Sequence, residues 1–518
     1  MSVTTAQADR PDLTHADGRE VHKGLALLTV AIAQLMVVLD ATIVNVALPD
    51  IATSLHVKSN SDLSWIVTAY TLTFGGFLLL GGKIADRVGR RTVFMGGAVL
   101  FAVASMMGGL SGSLGLLIAA RALQGIGGAL MSPAALSLLT VVFKEGEERN
   151  RALGIWSAIT AGGAALGLIL GGVLTEYASW RWVLFVNVPI AIIAVIGALR
   201  FVPESKDERA LGFDIPGAVL VTGGLMSLVY ALVKGNDAGW GSFQTVGTLA
   251  VAAVLLTGFV VVQVRSTAPL VPFRLFRSRS VAGADLGALL VGAGIFAIFF
   301  FLILWMQVIN GYSPIKAGLA FLPMTVLIGV GAGIGSQLLG KIGPRPLLTV
   351  GPLLAASGLL MLGLRLQPDS SYVGTILPSL AMVAGGMGFT FVALTSAAVA
   401  GVDPDDAGIA SALLNAGQQV GGALGLAILT AVSSSKSKGV FPRIEQAQGQ
   451  LQQARATHAF TPALQQLVAK VNDALVTGWS AGFVVGAAFL ASAALACTLL
   501  VRLSREQAAA ALKESVAS

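Results

Sequence analysis

Asp40 stands inside an apolar run from Gly24 to Leu48, and the next charged residue is Asp50. That run is long enough to cross a bilayer. A carboxylate at such depth costs about 2.5–3.5 kcal/mol, so it is expected to be functional. Its chemistry would be to take up and release a proton; the other reading is a fixed hydrogen-bonding role. Arg121 lies well inside another apolar run, 114–142. A guanidinium keeps its charge, so it must face a cavity or a partner. Beside an acid it would stabilise the acid's charge, and withdrawn it would strand that charge in apolar surroundings. Its movement would thus load and unload a proton. The alternative is a structural link to backbone carbonyls. Asp285 is the other candidate for proton coupling. It lies only about 1.5 turns into its run, so it is equally read as a helix-start acid meeting the N-terminal dipole.

The elements that position these groups follow from composition. The chain has 518 residues, 55% hydrophobic and 11% charged, with mean hydropathy +0.82. Soluble proteins carry about a quarter charged residues. A bilayer admits only helices or a closed barrel, and the long, non-alternating apolar runs read as helices. Fourteen spans are expected: 24–49, 63–84, 92–111, 114–142, 151–175, 181–201, 214–234, 244–264, 281–309, 315–339, 346–365, 373–399, 407–432 and 477–501. The net charge of +7 falls in short loops, which reads as a topology signal and not as nucleic-acid binding. With both termini placed inside, sixteen Lys and Arg fall in inner loops and five in outer ones, so both termini are expected in the cytoplasm.

The expected organisation is a tail at 1–23, a six-helix bundle at 24–201, two inserted helices with linkers at 202–280, a second bundle at 281–501 and a tail at 502–518. The outer loop 433–476 contains Ile444–Leu451 and Ala463–Val468, which read as amphipathic helix, with disorder as the rival reading. Cys497 is the only cysteine, so no internal disulfide can form. His15, His22, His56 and His458 all fall outside the spans. No nucleotide-binding motif, metal-ligand cluster or catalytic constellation is present, which argues against an enzyme and against an ATP-driven device. No cofactor is expected beyond protons as coupling ion.

The halves repeat. Gly82-Lys-Ile-Ala-Asp86-Arg87-Val-Gly89-Arg90-Arg91 has an echo in Ser336–Arg345, 254 positions on, and Ala165–Leu168 recurs as Ala423–Leu426. Gly82 and Gly89 suit tight turning beside a helix end. Asp86 among basic residues adds nothing to orientation. It reads as a charge cluster that locks one conformation, the alternative being a positive-inside anchor.

Four ordered stretches carry a family resemblance: Gly82–Arg91, Leu39–Pro49, Leu117–Ala129 and Gly154–Gly172. The first resembles the loop signature of the major facilitator superfamily. The others resemble signatures of its fourteen-helix drug:proton antiporters. The resemblance implies an all-α fold of two six-helix bundles around a central cavity, rocking between two open states. It also implies efflux of amphiphilic or cationic compounds in exchange for protons, with Arg121 beside the proton site. Gly163, Gly167, Gly171 and Gly172 form the antiporter glycine motif. Leu168 stands where relatives usually carry proline, so this residue does not supply the kink the motif implies.

Substrate contacts are expected from aromatic and amide side chains: Gln34, Asn45, Tyr70, Trp156, Phe300, Trp305, Asn415, Gln418 and Gln419. The last three are mid-span amides at i, i+3 and i+4, costly to bury without partners. On a helical wheel Asn45 points away from Asp40, so the two are not expected to act together. The expected partners are a lipophilic small molecule, protons and membrane lipids, with a monomer as the working unit. The rival function is a lipid or metabolite transporter of the same fold with weak or no proton coupling.

Overall fold

The structure is a computed structural model. It describes residues 22–57, 59–143, 146–207, 212–400, 402–403, 406–437 and 462–503. Among these residues fourteen helices are long and apolar enough to cross a membrane, and there is no strand. They are α1 (Lys23–Ser54), α2 (Asn60–Val88), α3 (Arg90–Gly109), α4 (Leu114–Val142), α5 (Glu147–Tyr177), α6 (Trp182–Phe201), α7 (Ile215–Asn236) and α8 (Phe243–Arg265). The second half continues with α9 (Arg279–Ile309), α10 (Pro314–Ile342), α11 (Pro344–Arg365), α12 (Tyr372–Val399), α13 (Ala407–Lys436) and α14 (Pro462–Leu500).

Local chemistry sets the boundaries. The side chains of Ser59, Ser113, Asp214 and Ser242 accept the backbone N–H three residues on, and so cap α2, α4, α7 and α8. Gly89 joins α2 to α3 at φ 133° and Gly343 joins α10 to α11 at φ 80°. These backbones favour glycine, and they stand at matching places in the two halves. Several helices outrun the sequence expectation, and in α1 and α14 the difference bears on the site and the outer loop. α1 continues through Pro49 to Ser54, which puts Asp40 close to the helix midpoint ((23 + 54)/2 = 38.5). α14 begins at Pro462 and absorbs the expected Ala463–Val468 segment. At 1.5 Å per residue its 39 residues are about 58 Å long, well beyond the ~30 Å apolar layer. The Ile444–Leu451 segment and most of both tails lie outside the described residues.

α1 to α6 pack as one bundle and α9 to α14 as another. The α7–α8 hairpin lays α7 against α2 of the first bundle and α13 of the second. Leu72, Leu225, Val229, Val233, Ala423 and Ala427 form that seam. Lys234 Nζ meets Asp62 Oδ1 at 2.5 Å, and Asn236 Nδ2 donates to the Ala431 carbonyl at 2.5 Å.

The Lys23–Glu148 ion pair puts the starts of α1 and α5 at one end of the molecule. α2 runs back to that end, so the Asp86 loop lies there too. Glu176 marks the opposite end. The larger apolar core runs from the second bundle into Val44–Ile51, Leu63–Val67, Leu168 and Trp180 of the first, all toward the Glu176 end. Direct hydrogen bonds join the bundles there: Gln307 Nε2 to the Val46 carbonyl (2.9 Å), Ile315 N to Glu176 Oε2 (3.1 Å), and Ser61 with Ser434 (3.1 Å).

Candidate functional site

Asp40 is fully buried, and three side chains from other helices donate to it. Arg121 Nη1 lies 2.5 Å from Oδ2, while Gln124 Nε2 (3.1 Å) and Asn187 Nδ2 (2.8 Å) reach Oδ1. Arg121 is 1% exposed. Its Nη1 also donates to Gln124 Oε1 (2.9 Å) and its Nε to the Ile66 carbonyl (3.1 Å), and the Tyr70 ring stacks 4.3 Å from the guanidinium. Gln124 Nε2 donates onward to Ser105 Oγ at 2.6 Å. Five helices, α1, α2, α3, α4 and α6, thus meet at one carboxylate. Each charge is desolvated but paired, the condition under which buried ions are tolerated. Arg121 thus pairs with an acid and also binds a backbone carbonyl.

The α5 glycines press on α1 beside this network. A side chain at Gly163 would touch Leu35 and Val38 at 3.1 Å. At Gly167 it would collide with Thr42 and lie 2.8 Å from the Leu39 carbonyl, and at Gly171 2.7 Å from the Ile43 carbonyl. Gly172 faces the other way, and a Cβ there would stand 2.7 Å from Ile315 Cα of the second bundle. One helix face therefore holds α1 close, and the next residue seats the opposite bundle.

The signature loop pairs within its own half. Arg90 Nε and Nη2 both reach Asp86 Oδ1 at 2.9 Å. The segment after α6 straps the loop. Asp207 N donates to the Asp86 carbonyl (2.7 Å), Arg90 N to Ser205 O (2.8 Å) and Arg91 Nη1 to Val202 O (3.2 Å). Glu204 accepts from Arg91 N (3.0 Å) and Thr92 N (3.1 Å), and so caps the start of α3. The Arg87 guanidinium lies 5.7 Å from the Phe213 ring. Gly82 does not turn the chain. It sits inside α2, its neighbour Gly81 makes the close approach to α4, and Gly89 alone makes the turn.

Several expected substrate contacts are structural in this conformation. Trp305 is fully buried and donates Nε1 to the Gln367 carbonyl at 3.0 Å, tying α9 to the end of α11. Phe300 is buried edge-on to Phe301. Tyr70 belongs to the Arg121 network. Gln34 accepts from Ser132 Oγ (3.1 Å), and Asn45 donates to the Ala41 and Thr42 carbonyls of its own helix. Each is held by packing or an internal partner, which helix rotation decides and sequence spacing does not. Trp156 is half-buried against the first bundle's core. Gln419 packs its Cβ on Gly75 of α2. Asn415 is exposed, with Nδ2 on the Ser411 carbonyl, and Gln418 is half-buried. Asp285 is buried, six residues past the start of α9, and neither of its oxygens has a hydrogen-bond partner. It therefore caps no backbone N–H, and the helix-start reading does not hold.

Gln124, Asn187 and Ser105 were not singled out as candidates from the sequence. Gln124 lies within Leu117–Ala129, three residues after Arg121 and so on its face. Asn187 is an amide in an otherwise apolar run, which is the kind of signal that could have found it.

The profile of the Major Facilitator Superfamily matches residues 30–426. The chain is 42% identical over 420 residues to the puromycin resistance protein pur8 of Streptomyces alboniger, covering 80% of this chain and 83% of that one. It is 42% identical over 418 residues to the cephamycin export protein CmcT of Amycolatopsis lactamdurans, covering 80% and 86%. Among solved structures, a bacterial homologue of the human lysosomal transporter Spinster, inward-facing and unoccupied, aligns with TM-score 0.64 at 21% identity over 93% of this chain and 98% of that one. The inward-open xylose transporter XylE of E. coli aligns with TM-score 0.58 at 14% identity over 93% and 98%. These structural likenesses concern the fold. The chain belongs to the major facilitator superfamily of membrane transporters.

Proposed function

We propose that this protein exports amphiphilic or cationic compounds across a bacterial plasma membrane in exchange for protons, with both termini in the cytoplasm. The observation that carries the reading is the fully buried Asp40–Arg121 pair at the middle of α1. Relatives named for puromycin resistance, cephamycin export and tetracenomycin C resistance and export support the outward direction and antibiotic-type cargo.

Arg121 pairs with the Asp40 carboxyl group. As the bundles rock, a shift of α1 against α4 within the first bundle, shared by α5 because Gly167 and Gly171 hold it close to α1, draws Asp40 from Arg121. The stranded carboxylate then takes a proton from the outer side. Return of the guanidinium expels that proton inward. The direct inter-bundle hydrogen bonds described above lie toward the Glu176 end, the arrangement expected of a transporter open at its Asp86 side. One proton moving down 100 mV supplies about 2.3 kcal/mol, enough for a gradient of roughly fifty-fold.

Inverted membrane vesicles acidified inside test the reading. Ethidium should accumulate, a protonophore should discharge it, and Asp40→Asn protein should move ethidium downhill but not accumulate it. Accumulation indifferent to the protonophore, or undiminished in Asp40→Asn, would remove proton exchange from the reading.

A further inference from the structure

Among the described residues four acids are buried: Asp40, Asp214, Asp285 and Asp406. Three of them are satisfied. Asp40 holds the network above, Asp214 accepts from Gly217 N and Gln263 Nε2, and Asp406 pairs with Arg274. Asp285 is 8% exposed, and both its oxygens lack any partner. An isolated buried carboxylate is costly by several kcal/mol, so a structural acid would have been given donors. Among the described residues none donates to this one.

Its surroundings indicate what would complete it. α9 and α13 run side by side: the Leu289 carbonyl meets Gly421, the Ala293 carbonyl meets Gly425, and the Asp285 carbonyl oxygen lies 3.6 Å from the Cβ position of Gly417. Asp285 is therefore level with the Asn415–Gln418 turn. α13 packs on α2 through Ala416 and Gln419, and on α9 through Gly417 and Gly421. The face left between them carries Ser411, Asn415 and Gln418, and Asn415 is exposed there. No charged residue interrupts α12, and none occurs in α13 before Lys436. On α14 the group nearest this level is Cys497, packed on Gly287. Among the described residues no cation on α12, α13 or α14 pairs with the acid; Arg502, just past α14, is exposed, with its backbone N on Ser280 Oγ.

We propose that Asp285 is the counter-ion of a cation subsite on the second bundle's side of the cleft, at the level of Asn415 and Gln418 on α13, and that it takes lipophilic monovalent cations. A single carboxylate balances one positive charge, and the apolar helix faces around it suit an organic cation better than a hydrated metal ion. The inference deepens the export reading and rests on it for the identity of the ligand as cargo. The rival occupant is a proton alone.

Equilibrium dialysis on the purified full-length chain separates the two, with tetraphenylphosphonium as the permanent cation and triphenylphosphine oxide as its uncharged analogue. Wild-type protein should bind the cation saturably. Asp285→Asn should weaken cation binding by about tenfold or more, with less than about twofold effect on the uncharged analogue, and Asp285→Glu should restore most of the loss. Asn415→Lys, on an exposed position, should also weaken the cation selectively. Unchanged cation affinity in both Asp285→Asn and Asn415→Lys, as a proton-only site requires, overturns the proposal. So does an equal loss for both ligands, or no cation binding by the wild type. Charge-selective binding by a protein that accumulates no ethidium in vesicles would sink the export reading and leave the cation subsite standing.

Discussion

Asp40→Asn removes one charge from the most densely bonded point of the first bundle and keeps nearly the same shape. The pair's attraction is about 4 kcal/mol for charges about 4 Å apart at an effective dielectric of about 20. Losing one partner of a buried pair costs about 3–5 kcal/mol because the other charge stays buried. Here Arg121 keeps Gln124 Oε1 (2.9 Å), the Ile66 carbonyl (3.1 Å) and the Tyr70 ring (4.3 Å). Those contacts exist in both proteins, so they offset nothing, but they keep the guanidinium from being bare. The expected loss is therefore the lower end, about 3 kcal/mol. For a folding unit of about 200 residues that is a fall of roughly 6–12 °C in unfolding midpoint. Arg121→Gln alone strands the carboxylate with Gln124 and Asn187 and should cost a similar amount. In the double variant no charge is stranded, so its loss should fall short of the sum by about 1–3 kcal/mol. Thermal unfolding of the four purified proteins, followed by tryptophan fluorescence, measures the cycle. Losses that add to within about 0.5 kcal/mol would mean that the pair carries no mutual energy, and the reasoning about its breaking and re-forming would fail.

Two further perturbations address the elements around this centre. Gly172→Leu places a side chain where Ile315 Cα stands 2.7 Å from the Cβ position, so it should hold the bundles apart at the Glu176 end. With Cys497→Ser as background, a Gln307→Cys reporter should then react about tenfold faster with an impermeant maleimide, the effect of a ~1.4 kcal/mol population shift; unchanged reactivity would refute the contact's role. Glu204→Ala uncaps α3 and should lower stability by about 1–2 kcal/mol, with faster hydrogen exchange at Arg91 and Thr92. Protection unchanged at those two amides would show that the strap after α6 does not hold the signature loop.

Much of this protein was legible in one dimension. Apolar run length against bilayer thickness yields the fourteen helices, and each helix satisfies its own backbone, so little tertiary information is needed to place it. The two halves are legible in Gly89 and Gly343 because a positive φ demands glycine at each matching loop. The presence of Asp40 and Arg121 in apolar runs was enough to mark them, since an ion at that depth has no innocent explanation. Tertiary structure decided the partners. Asp40 and Arg121 are 81 positions apart, and Asp40 and Asn187 are 147 apart. Helix rotation and crossing bring them together, and no local pattern encodes either. The same geometry turned Trp305, Phe300 and Tyr70 from expected ligand contacts into packing, and left Asp285 buried without a partner. A bilayer makes helix existence a local property. Which face of a helix meets which neighbour is settled only when all of them pack at once.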